Sequence, residues 1–227
     1  MELIQDIKVA VDAIVFSCTH NELKVLLIKQ KFGSLKDQWA LVGGFVKNNE
    51  SLNDAVNREL HEETGIKVNY LEQLYTFGDR IDRDPRFRVI TIAYFALVNS
   101  TQFTLKAGTD AQDVQWFAVN ALPPLAFDHN EIIKKAKNRL QNKLTYQPIG
   151  FELLNEEFLF SELENIYCIL LEKEIDRRNF RKKILSFGIV EQTGKFAKRT
   201  KGRPAKLFKF NKEKYTELTK EGFLFDI

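Results

Sequence analysis

From Gly44 to Ile66 the chain spaces its chemistry in a fixed pattern: Gly44, five residues, Glu50, seven residues, then Arg58-Glu59-Leu60, Glu62-Glu63 and Gly65-Ile66. A helix has about 3.6 residues per turn, so Glu59 shares a face with Glu62 and Glu63, three and four positions on. Three carboxylates so placed repel one another unless a cation lies between them. An oxygen-only donor set suits Mg²⁺ or Mn²⁺ better than zinc, and Mg²⁺ commonly shares its shell with phosphate oxygens. Gly43-Gly44 lets the backbone turn tightly and bring a carbonyl near the cation. Ser51 is placed to cap the start of the helix and Gly65 its end.

An isolated Glu-x-x-Glu-Glu is usually a solvated helix face, with pairs such as Arg58 to Glu62. Here every position of the longer pattern is filled, and the segment resembles the signature of the Nudix family without a gap. The resemblance implies a mixed sheet between helices and a metal-bound loop, helix and loop that cleaves a nucleoside diphosphate linked to another group. It implies Gly44, Glu59, Glu62 and Glu63 as metal ligands and Glu59, Glu63 and Arg58 as catalytic residues. Arg58 would orient Glu59, and Glu50 would support the loop.

The flanks suit such a domain. Val9–Phe16 and Leu23–Ile28 are apolar and β-branched around Thr19-His20-Asn21-Glu22, which predicts a hairpin. Trp39–Val46, Val68–Phe77, Val89–Val98 and Val114–Val119 read as further strands, and His129–Leu144 as a helix after Pro123-Pro124. The turn 78–86 alternates Arg80, Arg83 and Arg86 with Asp79, Asp82 and Asp84, which is either a salt-laced surface loop or a phosphate-binding one. The stretches Ala107–Phe117 and Leu122–His129 are similar to those of Nudix proteins that handle ADP-ribose. An arginine fork suits a diphosphate, so Arg80, Arg83 and Arg86 are candidate effector contacts. Asp110 and Asp113 are candidates for a base outside the signature.

Tyr146-Gln147-Pro148-Ile149-Gly150 has the composition of a boundary, predicting a first domain over 1–146 and a second over 147–227. In the second, Ser161-Glu162-Leu163-Glu164 has the pattern of a capping box that opens a helix over 161–173. After a three-residue turn, Asp176 caps another helix, whose Phe180, Ile184 and Phe187 form its buried stripe. Arg178 and Lys182 fall opposite, flanked by Arg177, Asn179, Arg181 and Lys183. Ile189–Glu191 and Ala205–Phe210 then read as two strands joined by a tip containing Lys195, Lys198, Arg199, Lys201 and Arg203. The whole chain has a formal net charge of only +3, so its overall charge says nothing about nucleic acid. The segregation of cations after Asp176 does, since it places them on the helix and wing of a helix-turn-helix. Arg178, Asn179 and Lys182 are candidate readers of base edges.

The complete arrangement, a Nudix fold followed by a winged helix-turn-helix in an α+β chain, resembles the Nudix-related transcriptional regulators of bacteria. That resemblance implies a homodimer that binds a palindromic operator and responds to ADP-ribose, a related nucleotide or a pentose. Regulators of this family often have a degraded signature, whereas this one is whole. A Mg²⁺-dependent ADP-ribose-type pyrophosphatase with an accessory DNA-binding module is therefore the alternative. Two cysteines, Cys18 and Cys168, lie far apart in apolar surroundings and imply no disulfide framework. No segment approaches a membrane span and no signal pattern opens the chain, which points to the cytoplasm and to no membrane partner.

Overall fold

The computed structural model describes residues 6–68, 70–108, 111–197, 204–220 and 225. The chain divides into two compact units, Met1–Asn138 and Arg139–Ile227, a division that falls upstream of the linker-like Tyr146–Gly150.

The first unit opens with β1 (Lys8–Thr19) and β2 (Glu22–Gln30), antiparallel from Thr19↔Glu22 inward. The two residues between them, His20 and Asn21, both have positive φ, 53° and 60°, as a tight hairpin matching the twist of its strands requires. The expected strand Trp39–Val46 is instead two, β3 (Trp39–Ala40) on β2 and β4 (Val42–Phe45) on β1. It breaks at Leu41, whose N–H donates to His129 Nδ1 at 2.8 Å rather than to a strand. Then follow α1 (Leu52–Thr64), β5 (Leu71–Phe77), β6 (Val89–Leu97), β7 (Ala111–Ala118) and α2 (His129–Lys143).

The sheet has seven strands, with the path β3-β2-β1-β6-β5, β4 joined to β1 and β7 to β2. Only β1 and β6 run parallel, so the sheet is mixed. Val11, Ala13 and Val15 of β1 alternate inward with Leu26 and Ile28 of β2 and pack with Ala55, Val56 and Leu60 of α1. The alternate residues Ile14, Phe16, Val25 and Leu27 are also fully buried, and α2 buries Ile132, Ile133 and Ala136. This two-sided burial explains why the strands read as continuous apolar runs. Ser51 caps α1 by accepting from Asp54 N–H at 3.1 Å. Gly65 ends it in the left-handed region, φ 73°, where a side chain would be strained.

The second unit comprises β8 (Glu157–Leu159), α3 (Phe160–Leu171), α4 (Arg177–Ser186), β9 (Val190–Ala197), β10 (Ala205–Phe210) and α5 (Lys212–Lys220), with its strands in the order β8-β10-β9. Its start corrects the expected cap. Leu159, not Ser161, precedes the helix, and its N–H donates to the Glu162 carboxylate at 2.6 Å, while Glu164 is buried within α3. Glu172 turns left-handed, φ 52°, and stops α3 at Leu171, so five residues rather than three precede α4. Asp176 caps α4 as expected, accepting from Asn179 N–H at 3.0 Å. Phe180 and Ile184 are its buried residues, and Phe187 lies just beyond its end. Neither β8 nor α5 was anticipated: the first is only three residues long, and the second buries none of its side chains.

No helix among the described residues is long and apolar enough to cross a membrane. Cys18 and Cys168 are free, and burial pushes the Cys18 thiol up to about 12.

Gly43 sits where β4 presses on β1, and a Cβ there would lie 2.2 Å from the Val11 carbonyl oxygen. Gly43→Ala is expected to destabilise the first unit by about 1–3 kcal/mol through overpacking, seen as a lowered midpoint in thermal denaturation.

Candidate functional site

The glycine loop and α1 meet along one wall of a cavity of about 260 Å³. Glu63 is buried, and its Oε2 accepts from Gly43 N–H at 3.0 Å. A Cβ on Gly44 would stand 2.3 Å from Glu59 Oε1, so a side chain there would push that carboxylate from its place beside the loop. Arg58 is the hub outside this wall. Its guanidinium donates to Glu50 at 2.6 and 2.9 Å, to Glu59 at 2.6 Å, to Glu62 at 3.2 Å and to the Phe45 carbonyl at 3.2 Å. With the Lys47 N–H also donating to it, Glu50 is held down to about 2. Glu59 moves the other way, because its burial outweighs the pull of Arg58.

This geometry corrects the expected convergence of three acids. Among the described residues no group of three or more His, Cys, Asp or Glu side chains is gathered closely enough to hold a metal ion. Glu59 and Glu63 line the cavity together, whereas Glu62 is drawn to Arg58 and its side chain is 49% exposed. The reason is local, since the i,i+4 guanidinium competes for the carboxylates. The donor chemistry still fits a hard divalent cation: two acids and a glycine backbone on one wall, one of the acids made costly to ionise by burial.

Beside the glycine loop lies a buried polar network that the sequence reading missed, with Asp12 paired across from Gly43 between β1 and β4. Arg83 forks onto Asp128, with Nη2 to Oδ1 at 2.6 Å and Nε to Oδ2 at 3.1 Å, and its Nη2 reaches Asp12 at 3.5 Å. His129 Nδ1 accepts the Leu41 N–H, so the ring proton sits on Nε2, 3.5 Å from Asp12 Oδ1. Burial raises the Asp12 carboxyl, but His129 and Arg83 outweigh it and hold Asp12 below the ordinary carboxylate value. One signal for Asp12 was in the sequence: it is the single acid inside the apolar run Val9–Phe16.

The three candidate arginines separate. Arg83 lines the cavity but is spent on buried acids. Arg80 is half exposed, faces Asp82 and Glu131, and does not line the cavity. Arg86 does line it, held by Asp84 at 2.8 and 3.0 Å and lying over the rings of Phe45 and Phe127 at 6.0 and 5.5 Å. Phe127 has φ 58°, an unfavourable backbone for a bulky side chain. Of the candidate bases, Asp113 accepts from Val114 N–H and Gln115 and does not line the cavity; Asp110 lies outside the described residues.

In the second unit α4 turns Phe180 and Ile184 inward and leaves Arg177, Arg178, Asn179, Arg181 and Lys182 exposed. These do not stand alike. Asn179 Nδ2 donates to Asp176 at 2.7 Å, Arg177 lies 3.9 Å from Glu164, and Arg181 stacks over Phe160 and Phe208 at 4.5 and 5.4 Å. Arg178 and Lys182 have no ion-pair partner among the described residues. The wing candidates Lys198, Arg199, Lys201 and Arg203 lie outside the described residues.

Comparison with known proteins divides the chain in the same way. A NUDIX domain profile matches residues 6–136, and a profile for the NrtR DNA-binding winged helix domain matches residues 150–210. The ADPR responsive transcriptional repressor NtrR of Acinetobacter baylyi is 35% identical over 90% of this chain and 82% of its own length. An ADP-ribose pyrophosphatase of Methanocaldococcus jannaschii is 45% identical over 56% of this chain and 70% of its own. The Shewanella oneidensis NrtR structure in complex with a 27mer DNA superposes with a TM-score of 0.79 at 32% identity, covering 92% of this chain and 95% of that one.

Arg83→Met would leave Asp12 and Asp128 buried without their cation, and is expected to cost about 3–5 kcal/mol in denaturant unfolding. Arg80→Ala should change it by no more than about 0.5 kcal/mol. Because the folded Asp12 value is depressed, its contribution is present above the unfolded value near ~3.9 and is lost as pH falls through the folded one. Removing Arg83 should move that acid loss to higher pH in a stability-against-pH profile.

Proposed function

The chain belongs to the Nudix family and has the DNA-binding winged helix of the NrtR type, and from that premise we propose that it is a cytoplasmic transcriptional repressor whose Nudix domain senses ADP-ribose. The observation that carries this reading is the similarity to the Acinetobacter repressor, which runs through both halves over 90% of the chain. Two features support it. The glycine loop, Glu59, Glu63 and Arg86 line a cavity whose acids would accept a diphosphate through a divalent cation, with Arg86 beside them. On α4, Arg178 and Lys182 stand opposite the buried stripe with no ion-pair partner among the described residues. A homodimer would set two such helices on half-sites about one helical turn apart.

Glu59, Glu63 and the Gly44 carbonyl, with Glu62 released from Arg58, would hold Mg²⁺ or Mn²⁺. Such an ion supplies positive charge to a bound diphosphate. The protein's own groups do the rest: Arg58 keeps Glu59 and the loop in place, Arg86 offers the guanidinium N–H groups that Asp84 does not engage, and the Arg83 network fixes the wall from which Asp84 holds Arg86. Sensing requires that the ligand bind the DNA-free and DNA-bound arrangements with different affinity, and by linkage DNA must weaken the ligand by the same factor.

A second reading has its own observation. The signature is complete, and the Methanocaldococcus pyrophosphatase is 45% identical across this half. In that reading the same acids support Mg²⁺-dependent hydrolysis of ADP-ribose, with the winged helix as an accessory.

Mobility shifts on the DNA upstream of the protein's own gene, with and without ADP-ribose and free pentoses, test the first reading. The expected result is retardation that ADP-ribose releases and ribose does not, weakened by Arg178→Ala by about 1–3 kcal/mol. Failure to retard any fragment, together with rapid ADP-ribose turnover, would reverse the order. In a parallel assay of phosphate-bond cleavage with Mg²⁺, Glu63→Gln should abolish whatever turnover the wild type has while leaving ligand-free DNA binding unchanged.

A further inference from the structure

The wing carries a feature that basic charge does not explain. Phe196 is 55% exposed, the most exposed large apolar side chain among the described residues of the second unit. It forms no ring contact with another described residue. Its position is built. Between Gln192↔Phe208 and Phe196↔Lys206, β9 has three residues where β10 has one. This bulge centres on Gly194, which is left-handed at φ 80°. Thr193 braces it, its Oγ1 donating to the Leu207 carbonyl at 3.3 Å and accepting from Lys195 N–H at 3.2 Å. Bulges of this kind strengthen twist and re-aim side chains, and they are specified features rather than defects.

Register gives the direction. Lys206 and Phe208 are two apart on β10 and so share a face, and Phe196 stands directly across from Lys206. Phe208 packs edge-on to Phe160, the first residue of α3, and lies beneath Arg181 of α4. Phe196 and Lys206 therefore occupy the α4 side of the wing. The two faces also differ in charge. On the far face Lys209 is neutralised by Glu191 at 2.9 Å, whereas Lys206 has no ion-pair partner among the described residues. An apolar ring beside an unpaired cation, on the side where α4 presents Arg178 and Lys182, matches a duplex: phosphates for the lysine, and the apolar sugar edges of a groove for the ring.

Resting on the reading of the second unit as a DNA-binding domain, we propose that Phe196 is an apolar DNA contact that inserts into the minor groove adjoining the groove occupied by α4. It acts without charge, beside the phosphate contact of Lys206. Charge contacts and apolar contacts leave different marks. A lost phosphate contact flattens the dependence of log affinity on log salt by about 0.9 per contact, whereas loss of an uncharged contact lowers affinity without changing the slope.

The test uses the full-length protein and a duplex that the wild type enriches from a random-sequence pool, titrated at several salt concentrations. Phe196→Ala is expected to raise Kd by roughly tenfold with the salt slope and the thermal midpoint unchanged, and Phe196→Tyr to restore most of the affinity. Lys206→Ala should flatten the slope by about one. If Phe196→Ala binds as tightly as wild type while Arg178→Ala weakens binding, DNA recognition stands and the proposed insertion is wrong. A fall in affinity accompanied by a flatter slope also overturns it, because the ring would then act only by arranging cations. If the wild type enriches no duplex, the DNA-binding reading itself fails and this proposal with it.

Discussion

The first unit depends on one buried arrangement, Arg83 clamped between Asp128 and Asp12. The side chains of Arg83 and Asp128 are each 4% exposed and that of Asp12 is 9% exposed. Removing such charges from water is costly, and their attraction recovers that cost only with good geometry. The geometry here is a two-point fork, and it spends its energy on position. Asp12 comes from the centre of β1, Arg83 from the turn between β5 and β6, and Asp128 from the segment before α2. Three chain segments that share no backbone ladder are thereby held at one point. His129 extends the network to Leu41, which is why the chain crosses from β3 to β4 there instead of continuing as one strand. One end of the cavity is thus defined by charge pairing rather than by apolar packing.

Arg58 offers the contrast. It holds Glu50 and Glu59, each 12% exposed, and Glu62, which is 49% exposed, so the pairing with Glu62 is the weakest and most easily exchanged of the three. The cluster built on Arg83 is buried throughout, whereas the one built on Arg58 includes the half-exposed Glu62. Of the acids lining or flanking the cavity, Glu62 is therefore the one most free to change partners.

What the sequence made legible follows the range of the interactions. The Ser51 and Asp176 caps, the His20-Asn21 hairpin and the Gly65 helix end all depend on neighbours within a few residues, and all are where the pattern placed them. So does the apolar stripe of α4 at Phe180 and Ile184. The three arginines of the turn were indistinguishable by spacing, yet one is buried, one lines the cavity over two phenyl rings and one faces solvent. The fates of Arg83 and Arg80 are decided by Asp12, Asp128 and Glu131, which are 71, 45 and 51 residues away, while Arg86 pairs with Asp84 two residues before it. Local pattern also misled at Ser161, where two overlapping capping patterns competed. Leu159 with Glu162 prevailed because Phe160 is needed in the core against Phe180 and Phe208. The acids of α1 show the same limit: helical spacing puts Glu62 on the right face, but Arg58, one turn earlier, decides where its carboxylate points.

A complete signature in a regulator is not a contradiction once binding and turnover are separated. A sensor needs affinity for the ligand as it is, while a hydrolase needs affinity that appears only as the reaction proceeds. On the proposed reading Glu59, Glu63 and the glycine loop would serve the first task by holding a cation against a diphosphate. Turnover needs in addition a group free to take a proton from water. Asp12 and His129 face the cavity, but Asp12 is held ionised between Arg83 and His129, and His129 has its lone pair on the Leu41 N–H and its proton towards Asp12. The network that makes this wall rigid therefore commits the hydrogen-bonding groups of Asp12 and His129 to holding the wall.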